Sequence, residues 1–160
     1  MKKLFTTLLG ASLISMLAAC GGAGGGAAAV DDSPEGQAFQ YRSAVMESIA
    51  YKVAQLRGMA DGSIPADPAL FVKHASDVAT LGTMIPEGFI PNSAVEGSAA
   101  LPEIWTNMAD FQAKAMELST AAQSLATAAQ QNGFEAAKGM VQAVGGTCGN
   151  CHRPYRRRQE

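Results

Sequence analysis

Between residues 104 and 129 the apolar side chains recur in alternating steps of four and three: Ile104, Met108, Phe111, Ala115, Leu118, Ala122, Leu125 and Ala129. A period of 3.5 lines them up along one seam of an α-helix, the pattern of left-handed helical bundles. A half-buried strand alternates every second residue and cannot produce this spacing. The pattern resumes in Phe134, Ala137, Val141, Val144, Cys148, Cys151 and Tyr155. Upstream, Ser33-Pro34-Glu35 reads as a helix start, with Ser as N-cap and Pro at the first helical position. The stripe Met46, Ile49, Val53 and Leu56 follows, with Phe39 and Val45 before it, and Asp61-Gly62 closes the helix. Asp67-Pro68 opens a second helix with the stripe Phe71, His74, Val78 and Leu81, and Gly82 is read as its end. Pro102 opens the third helix, which Asn132-Gly133 separates from the fourth. Residues 82–100 show no sustained period, and a connection of that length in a compact domain is often functional. The fold class predicted is all-α: an up-down-up-down four-helix bundle over residues 33–160.

The N-terminus reads as a targeting segment. Lys2 and Lys3 precede a nearly continuous apolar run from Leu4 to Ala19, too short for a comfortable membrane span but suited to a secretory signal. It ends in Leu17-Ala18-Ala19-Cys20, which resembles a bacterial lipobox; an ordinary cleavage site in the alanines near Ala28 is the alternative. Residues 1–19 are thus read as a lipoprotein signal peptide and Cys20 as the lipidated residue. Residues 20–32 are read as a tether, since Gly21 to Ala29 contains only Gly and Ala and cannot bury a core. The formal charge is −2 for the chain, and removing the two lysines makes it −4. That balance argues against nucleic acid as a partner.

With Cys20 accounted for, two of the three cysteines remain, and they lie in Cys148-Gly149-Asn150-Cys151-His152. This is the attachment pattern of a c-type haem. Two thiols three residues apart lie on one side of a helix and can add across the two vinyl groups of the macrocycle. The following His152 then offers its imidazole to the iron. Both cysteines also occupy the apolar seam, which delivers the ring into the bundle, near one end. A structural zinc site needs four ligands, and only His74 is left as a fourth, while Cys151 and His152 are awkward neighbours in one tetrahedron. A redox disulfide lacks the strand-helix context of thioredoxins. His74 itself is read as a core or boundary histidine. Gly145-Gly146, just before the motif, suggests a bulky group pressed against the backbone, because glycine inside a helix costs about 1 kcal/mol relative to alanine.

With that motif at the end of a helical chain, the sequence resembles the cytochrome c′ family, the class II c-type cytochromes, over about residues 33–158. Cys148-Gly149-Asn150-Cys151-His152-Arg153-Pro154-Tyr155-Arg156 is similar to the family's C-terminal motif, with Pro154 where members usually carry a helix-compatible polar residue. Tyr41-Arg42-Ser43-Ala44-Val45-Met46 is similar to its first-helix segment, and Leu101-Pro102-Glu103-Ile104-Trp105 to its third-helix start. The resemblance implies one covalent haem c, Arg42 near a haem propionate, Arg156 beside the proximal His152, and Met46 over the other face of the iron. Trp105 is assigned to the haem edge or the bundle end. In typical members the residue matching Met46 is apolar and the iron is five-coordinate and open to nitric oxide; low-spin members use a methionine ligand there. Arg42 and Met46, four residues apart, share a helix face.

The reading of function is a lipid-anchored c-type cytochrome on the periplasmic side of a bacterial membrane. It is taken as a single-electron carrier with His152 and Met46 as iron ligands, serving redox partner proteins, with a homodimer as an option and no enzymatic turnover. The alternative is a five-coordinate binder of nitric oxide or carbon monoxide, in which Met46 packs beside the iron. Arg153, Arg157 and Arg158 are read as a solvated tail, with a partner-docking or lipid-headgroup role as the alternative.

Overall fold

The computed structural model describes residues 31–91 and 93–158. The readings on the signal peptide, Cys20 and most of the tether lie outside them.

Helix α1 runs Pro34–Asp61 and buries Val45, Ile49, Val53 and Leu56. Its first turn is capped by the Ser33 hydroxyl, which accepts from the Gly36 amide at 3.0 Å. Helix α2, Pro68–Met84, is capped by the Asp67 carboxylate, which accepts from the Ala69 and Leu70 amides at 3.0 Å each. It does not stop at Gly82 as the sequence suggested. Gly82 lies inside the helix because α4 comes so close there that a Cβ would stand 3.1 Å from the Ser119 backbone nitrogen. The Ser119 hydroxyl donates to the Ala79 carbonyl at 2.7 Å across the same contact. A 3-10 turn over Ile85–Gly88 then leads into the long connection.

The third arm keeps its apolar seam but not a continuous backbone. A short α3, Glu103–Thr106, is broken from α4, Met108–Asn132, at Asn107, whose φ of −125° and ψ of 40° leave the helical region. The fourth arm is likewise segmented into α5 (Phe134–Ala137), a 3-10 turn (Lys138–Met140) and α6 (Val141–Tyr155). Phe134 meets Phe71 edge-on, ring centres 5.0 Å apart, which fixes the start of this arm against α2. The periodicity of the buried side chains survives these breaks because packing, not backbone continuity, selects it.

The four arms close into a bundle in which α2 packs on α1 and α4, α4 on α6, and α6 more loosely on α1. The chain is thus an all-α four-helix bundle. No strand occurs among the described residues. A single antiparallel bridge joins Ala100 to Arg156, flanked by Leu101 N–H to Tyr155 O (3.0 Å) and Arg157 N–H to Ala99 O (2.8 Å). Pro154 is accommodated in the last turn of α6, and the chain turns extended at Arg156 to make this bridge.

Candidate functional site

Where α1 and α6 part, a cavity of about 720 Å³ opens between α1, α4, α6 and residues 97–100, a volume typical of cofactor sites. Cys148, Cys151, His152 and Tyr155 line it from α6. Arg42, Met46, Ala50, Val53 and Arg57 line it from α1, and their steps of four, four, three and four put them on one face of that helix. Ile85, Phe89, Phe111 and Leu118 supply most of the remaining apolar wall.

The two thiols are free and half-buried. Burial pushes the Cys151 thiol up to about 11, and it raises Cys148 as well, with the Arg57 cation working in the opposite direction. Of the remaining ligand types only His152 stands with them in the wall of the cavity that α6 forms, whereas a structural zinc site needs four ligands. His152 is half-buried, and burial, followed by the Arg156 cation, holds it below the usual histidine range. Its neutral imidazole is the form that ligates a metal. His74 does not join them. It is buried between α1 and α2, edge-on to Tyr51 with centroids 6.2 Å apart, and its Nδ1 has no hydrogen-bond partner. The described residues hold no group of three or more His, Cys, Asp or Glu able to bind an ion. Two thiols and an adjacent imidazole in one wall of a largely apolar cavity fit a haem and do not fit zinc.

Arg42 is only 5% exposed, yet no carboxylate faces it. Its Nη1 donates to Gly88 O at 2.9 Å and to the Ser93 hydroxyl at 3.2 Å; its Nη2 donates to Ser93 O at 2.6 Å and to the Ser98 hydroxyl at 3.0 Å. The guanidinium thus gathers the long connection against α1 at the edge of the cavity, and burial lowers its pKa. Arg156 lines the same cavity from the bridge segment.

Trp105 lies elsewhere. Its indole N–H is turned toward the connection, donating to Ile90 O at 2.8 Å, and the ring lines a neighbouring groove with Phe89, Pro102 and Met108. It packs at the bundle end, tilted against Phe89 with ring centres 6.3 Å apart, and is not among the residues lining the cavity.

Sequence reasoning missed several residues of the site. The Tyr155 hydroxyl donates to the Asp110 carboxylate at 2.6 Å, which pushes the phenol up to about 12. Lys114 stands 3.7 Å from the other Asp110 oxygen. The Asp110–Lys114 spacing of four was the available signal. Arg57 sits four residues after Val53, so its place on the cavity face was legible too. It is also the bulky group beside the glycine pair: a Cβ at Gly145 would collide with its guanidinium, while Gly146 has nothing within 4 Å.

A family model described as Cytochrome C' matches residues 37–156. Cytochrome c-554 of Cereibacter sphaeroides is 35% identical over 121 residues, covering 73% of this chain and 78% of the relative. Among solved structures, cytochrome c prime from Shewanella frigidimarina is 32% identical with a TM-score of 0.73, covering 80% of this chain and all of that one. A nitric oxide complex of a mutant cytochrome c prime from Alcaligenes xylosoxidans is 25% identical with a TM-score of 0.71, covering 81% of this chain and all of that one.

Proposed function

The chain belongs to the cytochrome c′ family, whose proteins carry one covalently bound haem c, and from that premise we propose that it binds a small gas, nitric oxide or carbon monoxide, at the iron face opposite His152. The thioethers form at Cys148 and Cys151. His152 supplies the single protein ligand, and Met46 packs over the other face without coordinating. The haem, when bound, supplies a ferrous iron that takes up a neutral diatomic molecule.

The observation that carries this reading is the α1 wall of the cavity. Around Met46 it offers Ile49, Ala50 and Val53, with the cations of Arg42 and Arg57 one turn and three turns away and no imidazole, so the gas enters largely apolar surroundings. The nearby carboxylate, Glu47, is exposed. The Alcaligenes relative solved as a nitric oxide complex supports the same use of the fold. No acid–base pair flanks Met46, which favours binding over turnover. The residues on α6 hold their end in register: Tyr155 is tied to Asp110, and His152 sits one turn before the bridge that stops the helix.

One observation favours a second reading. Met46 lines the cavity four residues from Arg42, so its thioether is on the correct face of α1 to reach the iron, which would make a six-coordinate electron carrier. Substitution Met46→Leu separates the two. It preserves volume and costs less than about 1.5 kcal/mol in packing. For the gas binder, the wild-type absorption spectrum is already high-spin and the variant's is the same, with carbon monoxide association changed only modestly. A low-spin wild type that becomes high-spin in the variant, with much faster carbon monoxide binding, would establish the carrier.

The cellular setting completes the reading: export to the periplasmic side directed by residues 1–19, with a lipid on Cys20 holding the domain of residues 33–160 at a membrane through the tether of residues 20–32. Release of a Cys20→Ser protein from the membrane fraction tests the anchor.

A further inference from the structure

Next to the cavity between α1 and α6, a groove of about 540 Å³ opens on the outside of the bundle end. Its walls run from Pro91 and Ala94 on the long connection to Pro102, Trp105 and Met108 at the start of the third arm. Thr106 is the one polar side chain among them, since the indole N–H of Trp105 is already donated to the Ile90 carbonyl. Among the described residues lining either space, Phe89 alone lines both. A single phenyl ring therefore forms the partition where groove and cavity meet. It is 7% exposed and held from several sides. The Arg42 guanidinium lies over it at 5.1 Å, Phe111 meets it edge-on at 4.6 Å, and Trp105 tilts against it at 6.3 Å. Its backbone leaves helical geometry, with φ −116° and ψ 52°, just past the 3-10 turn. The ring thus hangs from the first residue of the connection and not from the body of a helix.

The two spaces differ in chemistry. The exposed side chains that line the cavity include the charged Glu47, Arg57 and Arg156, which hold water around them. The groove carries no charge. A neutral diatomic molecule is poorly solvated by water and gains by entering apolar surroundings. Apolar protein cavities that stay dry take up xenon for the same reason. We propose that the groove is a docking site for an apolar diatomic gas, nitric oxide or carbon monoxide, and that Phe89 is the movable partition through which the gas passes into the cavity. This inference rests on the gas-binding reading above and deepens it by giving the gas a site of its own before the iron. No bond forms or breaks at the partition. The ring stands in the same place before the gas crosses and after it has bound, so Phe89 sets how fast the gas moves in either direction and not how tightly it is finally held. A side chain that pressed on the bound gas would change the affinity instead. Met46, which lines the cavity but not the groove, is placed for that second role.

The test uses the haem-loaded ferrous protein in the wild type, Phe89→Leu and Ala94→Trp. Carbon monoxide association is followed by stopped flow, and its dissociation by displacement with nitric oxide. Phe89→Leu removes the ring contacts to Phe111 and Trp105. It should raise both rate constants together, roughly fivefold, the factor that loss of one aromatic contact corresponds to, and leave their ratio unchanged. Ala94 is exposed, so Ala94→Trp fills the groove without disturbing the core and should slow both rates together. The second probe is xenon, read by methyl NMR on the diamagnetic ferrous carbonyl form. Under xenon pressure the Met108 and Ala94 methyl signals should shift. Met116, 51% exposed and outside the groove, should shift far less, and Ala94→Trp should abolish the response at Met108. Rates unchanged in both variants would overturn the partition, as would a change in the equilibrium constant as large as that in the association rate. Met108 shifts no larger than those of Met116 would overturn the docking site. A low-spin wild-type spectrum, recorded before any gas is added, would overturn the gas-binding reading and this route with it, a failure recognisable without the kinetics.

Discussion

The α2–α4 pair and the α1–α6 pair are built from the same kind of amphipathic helix and end up in opposite states. Between α2 and α4, Gly82 lies under Ser119, and Ala79, Ala122 and Ala126 keep the backbones close. Phe71, Val78 and Leu125 fill the remaining space and are fully buried. That half is complete with protein atoms alone. Between α1 and α6, the seam residues Met46, Cys148 and Cys151 are only half-buried and border a cavity of about 720 Å³. Small residues draw helices together into a scaffold, and a seam that carries thiols, an imidazole and a methionine leaves its helices apart for a guest.

The comparison breaks most severely if the guest is removed. Without a guest, the cavity leaves the apolar side chains of Val53, Ile85, Phe89, Phe111 and Leu118 without packing partners on that side. Cys148→Ser combined with Cys151→Ser, which loses covalent haem, should therefore open the α1–α6 half while α2 and α4 remain the most protected region in amide hydrogen exchange. Uniform protection in both halves would show that the cavity end does not depend on its cofactor. The scaffold half should be sensitive in the opposite direction, to added volume. Gly82→Val pushes methyl groups into the Ser119 backbone, which no rotamer can relieve, and should lower stability by about 1–3 kcal/mol in urea unfolding.

The smallest effect concerns His74, at the α1–α2 contact. Burial, then the Lys52 cation, with a smaller push from Lys73 and an opposing pull from Asp77, holds this histidine below its ordinary value of 6.5. The fold thus favours the neutral ring, so its contribution is whole above 6.5 and is lost as the pH falls through the lower folded value. The urea midpoint should fall slightly between pH 7 and pH 5, and His74→Leu should flatten that segment of the profile. An equal slope in the variant would place the titration elsewhere.

The bundle was legible in the sequence because its determinants are local and periodic: the caps at Ser33 and Asp67, the seam from Ile104 to Ala129, and the attachment motif. What escaped depends on contacts between segments far apart in the chain. Gly82 reads as a stop until Ser119, thirty-seven positions later, is seen against it. Trp105 reads as lying at the haem edge or the bundle end, and the bond from its indole to the Ile90 carbonyl, fifteen residues upstream, could not be read from either. Arg57 explains Gly145 only across the α1–α6 gap, and Tyr155 finds Asp110 forty-five residues upstream. The break at Asn107 was hidden for a different reason: a seam period reports which side chains are buried and is indifferent to a single residue leaving helical geometry between them.

Arg42 has a consequence for the speed at which the cavity end can change its charge. Its guanidinium is fixed by the carbonyls of Gly88 and Ser93 and the hydroxyls of Ser93 and Ser98, all of them neutral. Those dipoles point at a cation that stays in place whatever the oxidation state of an iron beyond it, so they do not swing when one electron arrives or leaves. A polar environment already oriented and held rigid needs little rearrangement. The rearrangement that a change of charge beside this end of the bundle would ask of Arg42 and its partners is therefore small.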